Sequence, residues 1–245
     1  MSVLPQVPVG IVAHYSRHER AEKLAELIEA EIISVDHGGI GPGKNHELCY
    51  EWLAESKAPW VVLLEDDAIP VKDFRTQLNA VLRAAPKTGL MSLYLGRSRP
   101  PHWQISIARV IAGDENYFMA SELLHHVAVA IRPNLIPGML KYIRNDTAYA
   151  DGKLPIDEAV GAWARSLSMP IVYSNPSIVN HDARTGTIIK RHVSQHKTDD
   201  GKRASDDSRK AWRFGPREEW QTTIATIPNP IMRNPAASSS SPLKK

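Results

Sequence analysis

The stretch Trp60-Val-Val-Leu-Leu-Glu65-Asp66-Asp67 decides how this chain is read. It opens on the most apolar strand-length run in the sequence and passes without a break into three carboxylates. A continuous apolar run of that length predicts a strand buried on both faces, near the centre of a sheet. Adjacent carboxylates at the end of such a strand raise one another's pKa where little water is at hand. A cation relieves that repulsion. Hard divalent ions prefer carboxylate oxygens, and Mg²⁺ commonly takes one or two of them together with substrate phosphates. If the backbone stays extended, Glu65 and Asp67 point to one face and Asp66 to the other. Asp67 then reaches the metal, with Glu65 supporting the metal shell or a ribose. The plainer alternatives are a solvated strand end, or an acidic cluster ahead of a helix that begins near Asp73.

Working outward, strands and helices alternate. Val7 to Ala13 reads as a buried strand. Ser16 is placed to cap the next helix, whose apolar stripe is Leu24, Leu27 and Ile28. Glu31 to Val35 is a second strand. Gly38 to Gly43 reads as a loop, and Asn45 opens a helix through about Ser56 with Leu48, Trp52 and Leu53 on one face. A helix from Asp73 to Ala84 and a strand from Leu90 to Leu95 follow. This order predicts an α/β fold, a Rossmann-type, mainly parallel sheet flanked by helices. Ligands of such sheets bind outside the carboxyl ends of the strands. The loops after Ala13, Val35, Leu64 and Leu95 all fall there, which gathers Arg17, Asp36, Lys44 and the acidic run around one crevice.

Beyond residue 96 the pattern loosens. Arg97 to Trp103 reads as a basic, proline-interrupted aromatic loop. Val127 to Ile131 is a strand, Leu135 to Ile143 a short helix, Ile156 to Ser166 a helix and Pro170 to Tyr173 a strand. Asp146 and Asp151 read as solvated loop residues. From Arg184 to Arg217 ten Lys or Arg stand against four Asp, although the whole chain carries only +3. A neutral-to-acidic body with a basic segment suits either a polyanionic partner or a solvated arm. Trp212, Phe214 and Trp220 are candidate anchors of that segment, and residues 234–245 read as a disordered tail.

With 42% hydrophobic residues in 245, the chain has the makings of one main domain. No run is long enough to span a bilayer. The amino-terminal stretch lacks a signal-peptide pattern. Cys49 is the only cysteine, which rules out an intrachain disulfide and makes a cysteine-based zinc site implausible. These features point to the cytoplasm.

The stretch Gly38-Gly-Ile-Gly-Pro-Gly-Lys44-Asn45, a helix, and then Trp60 to Ala68 resembles the donor-binding half of GT-A-fold glycosyltransferases. The basic-Asn pair and a DxD-type motif after the next strand are similar to family 2, and Leu-Glu-Asp-Asp-Ala is similar to family 25. Glu65 stands where the first Asp of the motif is usual. Pro155-Ile156-Asp157-Glu158, a helix, and then Met169-Pro-Ile-Val-Tyr, Pro176 and His181 resembles the acceptor half of family 2, where an acidic motif opening a helix supplies the catalytic base.

The resemblance implies a GT-A-like catalytic domain over residues 1–183, with a donor half at about 7–96 and an acceptor half at 97–183. A basic segment, 184–233, would pack on it or extend from it. It implies a nucleotide-sugar donor, such as a UDP-sugar, and Mn²⁺ or Mg²⁺ at Asp67. His14, Arg17, Asp36, Lys44, Asn45, Glu65 and Asp66 would serve the donor. Asp157, or alternatively Glu158, would be the base of an inverting transfer. His181 either completes the metal shell or touches phosphate, or else bonds to backbone in a turn.

For the acceptor, Arg97, Arg99 and Trp103 mix cations with an aromatic ring that can stack a base or a sugar, or pack on the core. His125 and His126 either line the acceptor site or are structural. Val-Gly-Ile-Val-Ala-His14 and Pro-Ile-Asp-Glu-Ala-Val-Gly-Ala-Trp-Ala-Arg165 resemble glycosyltransferases of actinobacteriophages. That resemblance implies DNA bearing 5-hydroxymethylcytosine or a related hydroxymethylated pyrimidine as partner, in a host cytoplasm and without a membrane. The rivals are a transferase acting on cell-envelope saccharide, a nucleotidyltransferase, and a noncatalytic DNA-binding protein on a similar fold.

Overall fold

The computed structural model describes residues 6–97, 100–182 and 209–230. Its first strand, β1 (Val9–His14), is apolar up to its last residue and buried. It lies between two parallel partners, β2 (Ile32–Asp36) and β3 (Val61–Glu65). Helix α1 (His18–Ile28) joins β1 to β2, and α2 (Gly41–Ala54) joins β2 to β3. The chain continues through β4 (Ala68–Pro70), α3 (Phe74–Arg83), β5 (Leu90–Ser92), α4 (Pro101–Val110), β6 (Tyr117–Ala120) and β7 (Ala128–Ile131). Then come α5 (Ile136–Arg144), α6 (Thr147–Ala150), α7 (Ile156–Ser166), β8 (Ile171–Ser174), β9 (Val179–His181) and β10 (Ile224–Thr226).

The central sheet runs β10-β6-β8-β5-β7-β3-β1-β2, and β4 pairs with β9 in a separate two-stranded sheet. Four pairings of the large sheet are parallel, β1 with β2 and β3, β5 with β8, and β6 with β10. Strand β7 enters antiparallel between β3 and β5, and β6 lies antiparallel to β8. Alternate residues of β3 feed two apolar layers. Val62 and Leu64 join Leu24 and Ile28 of α1 and Leu78 and Val81 of α3. Val61 and Leu63 join Tyr50 and Leu53 of α2, Met139 and Leu140 of α5, and Trp163 of α7. The fold is a three-layer α/β/α arrangement with the mainly parallel sheet in the middle.

Several local expectations change. Ser16 does not cap α1; it sits in a short 3-10 turn, where its backbone N–H donates to the His14 ring. Leu27 is exposed, and Ala21, Leu24 and Ile28 form the buried stripe instead. Helix α2 starts at Gly41 and turns Asn45, His46, Cys49, Tyr50 and Leu53 inward, leaving Leu48 and Trp52 largely exposed. The segment read as an aromatic loop is partly α4, whose Trp103 is buried in the second apolar layer. A proline at the first helical position explains this, because it presets φ for a helix and sacrifices no bonded N–H. Asp146 is not merely solvated; its carboxylate caps α6 by accepting from the N–H groups of Ala148 and Tyr149. Strands β6 and β10, of four and three residues, are too short to show a period in the sequence.

Of the basic segment, residues 184–208 lie outside the described residues, as do Arg99 and the tail at 234–245. Residues 209–230 run across the body and add β10 to the edge of the sheet. Trp220 is buried and its Nε1 donates to Gln77 Oε1 (2.9 Å), while Trp212 Nε1 donates to Gln104 Oε1 (2.8 Å). Phe214 is largely exposed.

Candidate active site at the carboxyl edge of the sheet

Because β1, β2 and β3 are parallel, His14, Asp36 and Glu65 finish on one edge. The backbone does not stay extended past Glu65. Asp66 and Asp67 form a turn into β4, and one cation holds both. Arg17 Nη1 donates to Asp66 Oδ1 at 2.8 Å and to Asp67 Oδ2 at 3.2 Å. The expected alternation of faces is therefore lost, since a turn directs both side chains toward the same guanidinium. Asp66 also accepts from the His14 N–H (3.1 Å). Arg20 Nε donates to the Asp66 carbonyl (2.7 Å) and its Nη1 to Asp182 Oδ2 (2.9 Å).

The β4–β9 ladder sets Ala68 opposite His181, which brings His181 Nε2 to 3.2 Å from Asp67 Oδ2. One ligand-type atom from each of Glu65, Asp67 and His181 lies within 4.8 Å of the others. Asp67 Oδ1 is buried with no hydrogen-bond partner among the described residues. Two carboxylates, an imidazole and an unshared carboxylate oxygen fit a divalent metal ion.

The two aspartates titrate differently. Burial raises the Asp66 carboxyl, and Arg17 only partly offsets it. Burial acts on Asp67 as well, but the His181 imidazole, Arg17 and Arg20 outweigh it and hold the carboxyl below its ordinary range. The surroundings of Asp67 therefore favour its ionised form.

Asp157 lies in the first turn of α7, half-buried, and its Oδ1 accepts from the Glu158 N–H (3.0 Å). Burial, with the nearby Glu65 charge adding to it, pushes the Asp157 carboxyl up to about 7. The Glu65 charge is near enough to add to this shift. Glu158 is exposed.

Other candidates are placed elsewhere or are already engaged. Asp36 is buried, and its Oδ1 accepts from the N–H groups of Gly38 (2.8 Å), Gly39 (3.1 Å) and Ile40 (3.3 Å). Burial opposes its charge, but these amides outweigh it and lower its pKa. The Asn45 amide ties β1 to β2, with Nδ2 donating to the Ala13 and Ser34 carbonyls and Oδ1 accepting from Ser34 Oγ. Lys44 donates to Glu47 (2.9 Å), a buried carboxylate that also receives Arg144.

On the acceptor side, His125 packs edge-on against Tyr94, whose ring is 6.1 Å from that of His181. Gly96 permits this, since a Cβ there would lie 2.7 Å from both His125 Nε2 and the Tyr94 hydroxyl. Arg97 is half-buried and its N–H donates to the Lys210 carbonyl. Trp103 is in the core and does not line the crevice. His126 is buried, with Nε2 bonded to the Tyr50 hydroxyl at 2.8 Å.

Sequence reasoning missed His46, which stands 3.6 Å from Glu65 Oε1. Its signal was its place on the stripe with Cys49, Tyr50 and Leu53, which the chosen Leu48–Trp52 stripe obscured.

No protein-family model matches the chain, and no curated protein matches it. Among solved structures, it is similar to a protein from STIV (9% identity, 71% of this chain and 85% of that chain, TM-score 0.43). It is also similar to a glycosyltransferase involved in the glycosylation of the major capsid of PBCV-1 (10% identity, 73% and 94%, TM-score 0.40). A third is a Drosophila β-1,4-galactosyltransferase 7 in complex with manganese, UDP-Gal and xylobiose (8% identity, 78% and 82%, TM-score 0.39). Likeness this loose decides neither family nor activity. No helix among the described residues is long and apolar enough to cross a membrane.

Proposed function

We propose that this chain is a metal-dependent GT-A-like glycosyltransferase that moves a sugar from a nucleotide-sugar donor to a hydroxyl acceptor. The observation that carries this reading is one sheet edge with two kinds of acid. Asp67 is held ionised beside Glu65 and His181, and Asp157, within the influence of the Glu65 charge, has its carboxyl pushed up to about 7. The first suits a metal and a diphosphate, and the second suits a general base, whose pKa is best placed near the working pH.

Glu65, Asp67 and His181 would hold Mn²⁺ or Mg²⁺, which when bound neutralises charge on the leaving diphosphate. Arg17 and Arg20 orient the acidic turn, and Arg17 adds positive charge beside it. Asp157 accepts the proton of the acceptor hydroxyl as its oxygen attacks the anomeric carbon. The bond from that carbon to the diphosphate breaks, the nucleoside diphosphate leaves with the electron pair, and the anomeric configuration inverts. The donor is a UDP-sugar in this reading.

For the acceptor, the reading is a hydroxymethylated pyrimidine in DNA, in the cytoplasm of a phage host. It is supported by the excess of Lys and Arg over Asp from Arg184 to Lys210, which suits a phosphate backbone, and by the phage-enzyme resemblance of the strand and helix motifs.

The test is incubation with a panel of sugar nucleotides and Mn²⁺, with hydroxymethylated or plain DNA, followed by mass analysis of the bases. A gain of one sugar mass on hydroxymethylated DNA alone supports the full reading. Donor hydrolysis without transfer to DNA leaves a glycosyltransferase with another acceptor. No donor binding overturns the reading, and release of pyrophosphate from a nucleoside triphosphate and a sugar phosphate would make the chain a nucleotidyltransferase.

A further inference from the structure

The sheet edge carries a second donor set, of which sugar transfer as read above uses Glu65 alone. His46, on the inner face of α2, and His126, just before β7, are both buried, and their rings meet edge to face with centroids 4.8 Å apart. Glu65 Oε1 stands 3.6 Å from His46 Nε2. One ligand-type atom from each of His46, Glu65 and His126 lies within 4.8 Å of the other two.

Each ring is oriented from outside this cluster. His46 Nδ1 lies 2.7 Å from the Pro42 carbonyl, which can only accept, so Nδ1 carries the proton and the neutral ring keeps its lone pair on Nε2. The Tyr50 hydroxyl engages His126 Nε2. His46 Nε2 and His126 Nδ1 remain buried with no hydrogen-bond partner among the described residues. One cation placed between them can satisfy both rings and the carboxylate.

We propose that His46, Glu65 and His126 form a binding site for a divalent transition-metal ion, with zinc as the probe, which shares Glu65 with the oxygen-rich set at Asp67. Two imidazoles and one carboxylate suit zinc, iron, cobalt or nickel better than magnesium. Around a tetrahedral zinc with bonds of about 2.0–2.1 Å, ligand atoms sit about 3.3 Å apart. The 3.6 Å between His46 and Glu65 is close to that without a bound ion. The Pro42 carbonyl and Tyr50 hydroxyl are the outer partners that fix a ligating imidazole. Glu65 belongs to both donor sets, so an ion on the imidazole side bears directly on the carboxylate available beside Asp67.

The test uses the full chain, freed of metal by chelation and loaded with equimolar Zn²⁺. X-ray absorption at the zinc edge on the unaltered protein is expected to count two imidazole ligands. One imidazole would place zinc at Asp67 and His181 and overturn the proposal, as would none. In calorimetry, His46→Gln and His126→Gln should each weaken zinc binding by at least about tenfold, with far-UV circular dichroism confirming the fold. Affinity equal to that of the unaltered protein in either folded variant overturns it. Because the absorption count needs no variant, a misfolded substitution does not stall the test. Sugar transfer with Mn²⁺ is read separately, so the zinc result and the transferase reading stand or fall apart.

Discussion

His181 reaches Asp67, at 3.2 Å, because β4 and β9 pair with Ala68 opposite His181. The next residue reinforces the contact, as the Asp182 N–H donates to the Asp67 carbonyl (2.9 Å) while its carboxylate receives Arg20. The acidic turn is thus fastened from two sides, by arginines that follow β1 and by the strand that ends at His181. A turn so held presents Asp67 with one carboxylate oxygen committed and the other unshared among the described residues.

Removing that unshared oxygen's charge should remove the metal. Asp67→Asn is expected to weaken Mn²⁺ binding by at least about tenfold, roughly 1.4 kcal/mol, and to abolish transfer. Calorimetric titration with Mn²⁺ checks this. Unchanged affinity would move the metal away from Asp67.

Arg17 is the main countercharge shared by Asp66 and Asp67. Arg17→Met leaves two adjacent buried carboxylates facing each other, a loss expected at about 3 kcal/mol. Thermal unfolding with and without Mn²⁺ reads it. The ion should raise the melting temperature more in the variant than in the unaltered chain, since it replaces part of the missing charge. Equal shifts would mean that Arg17 acts by packing alone.

Asp157→Asn separates binding from chemistry. Loss of a general base lowers turnover by about 10²–10⁴, whereas donor affinity, set at the other acids, should stay within about twofold. Equal losses in both would sink the assignment. In the unaltered enzyme, turnover should rise with pH as Asp157 deprotonates, with a midpoint at or below about 7 because a bound cation favours the charged form.

The same residue has an opposite effect on stability. Its carboxyl pKa is higher in the folded chain, about 7, than the ordinary 3.8, so between those values the folded state holds more protons than the unfolded state. Stability therefore falls as pH rises through that window. Asp157→Asn removes the penalty. Its metal-free melting temperature should exceed that of the unaltered chain at pH 8, by roughly 2–4 °C per kcal/mol recovered, and the gap should close toward pH 4. A gap independent of pH would show that Asp157 titrates normally.

Gly10 lets α2 lie close on β1. A Cβ there would stand 2.5 Å from Cys49 Sγ and 3.2 Å from Ile32 Cγ2. Gly10→Ala is expected to destabilise by about 1–3 kcal/mol. Denaturant unfolding should show partial rescue when Cys49→Ala is added, because the closest clashing atom is then gone. No coupling between the two changes would place the strain elsewhere.

The elements that could be read from the sequence were those whose evidence is local. Val61 to Leu64 is apolar at every position, and a strand buried on both faces needs no more than that. The span of α7 from Ile156 to Ser166 followed from Pro155 and from the spacing of Val160 and Trp163. The stripe of α2 was misread because the helix begins at Gly41, and its inner face follows which side the sheet takes. Trp103 could be read either as a binding residue or as core, because a proline-rich run reads as irregular until it packs, and it lies in the core. His46 was overlooked for the same reason as the stripe.

By itself, the sequence determined that a buried strand ends in three acids, and that further acids open a helix later in the chain. Apolar runs and capping prolines act over a few residues, so this much is written locally. Only the tertiary structure decided that Asp66 and Asp67 share Arg17, that His181 stands beside Asp67 and His46 beside Glu65, and that burial raises the pKa of Asp157. Those outcomes depend on solvation and on charges brought close by strand pairing. Neither exists until segments far apart in the chain have met.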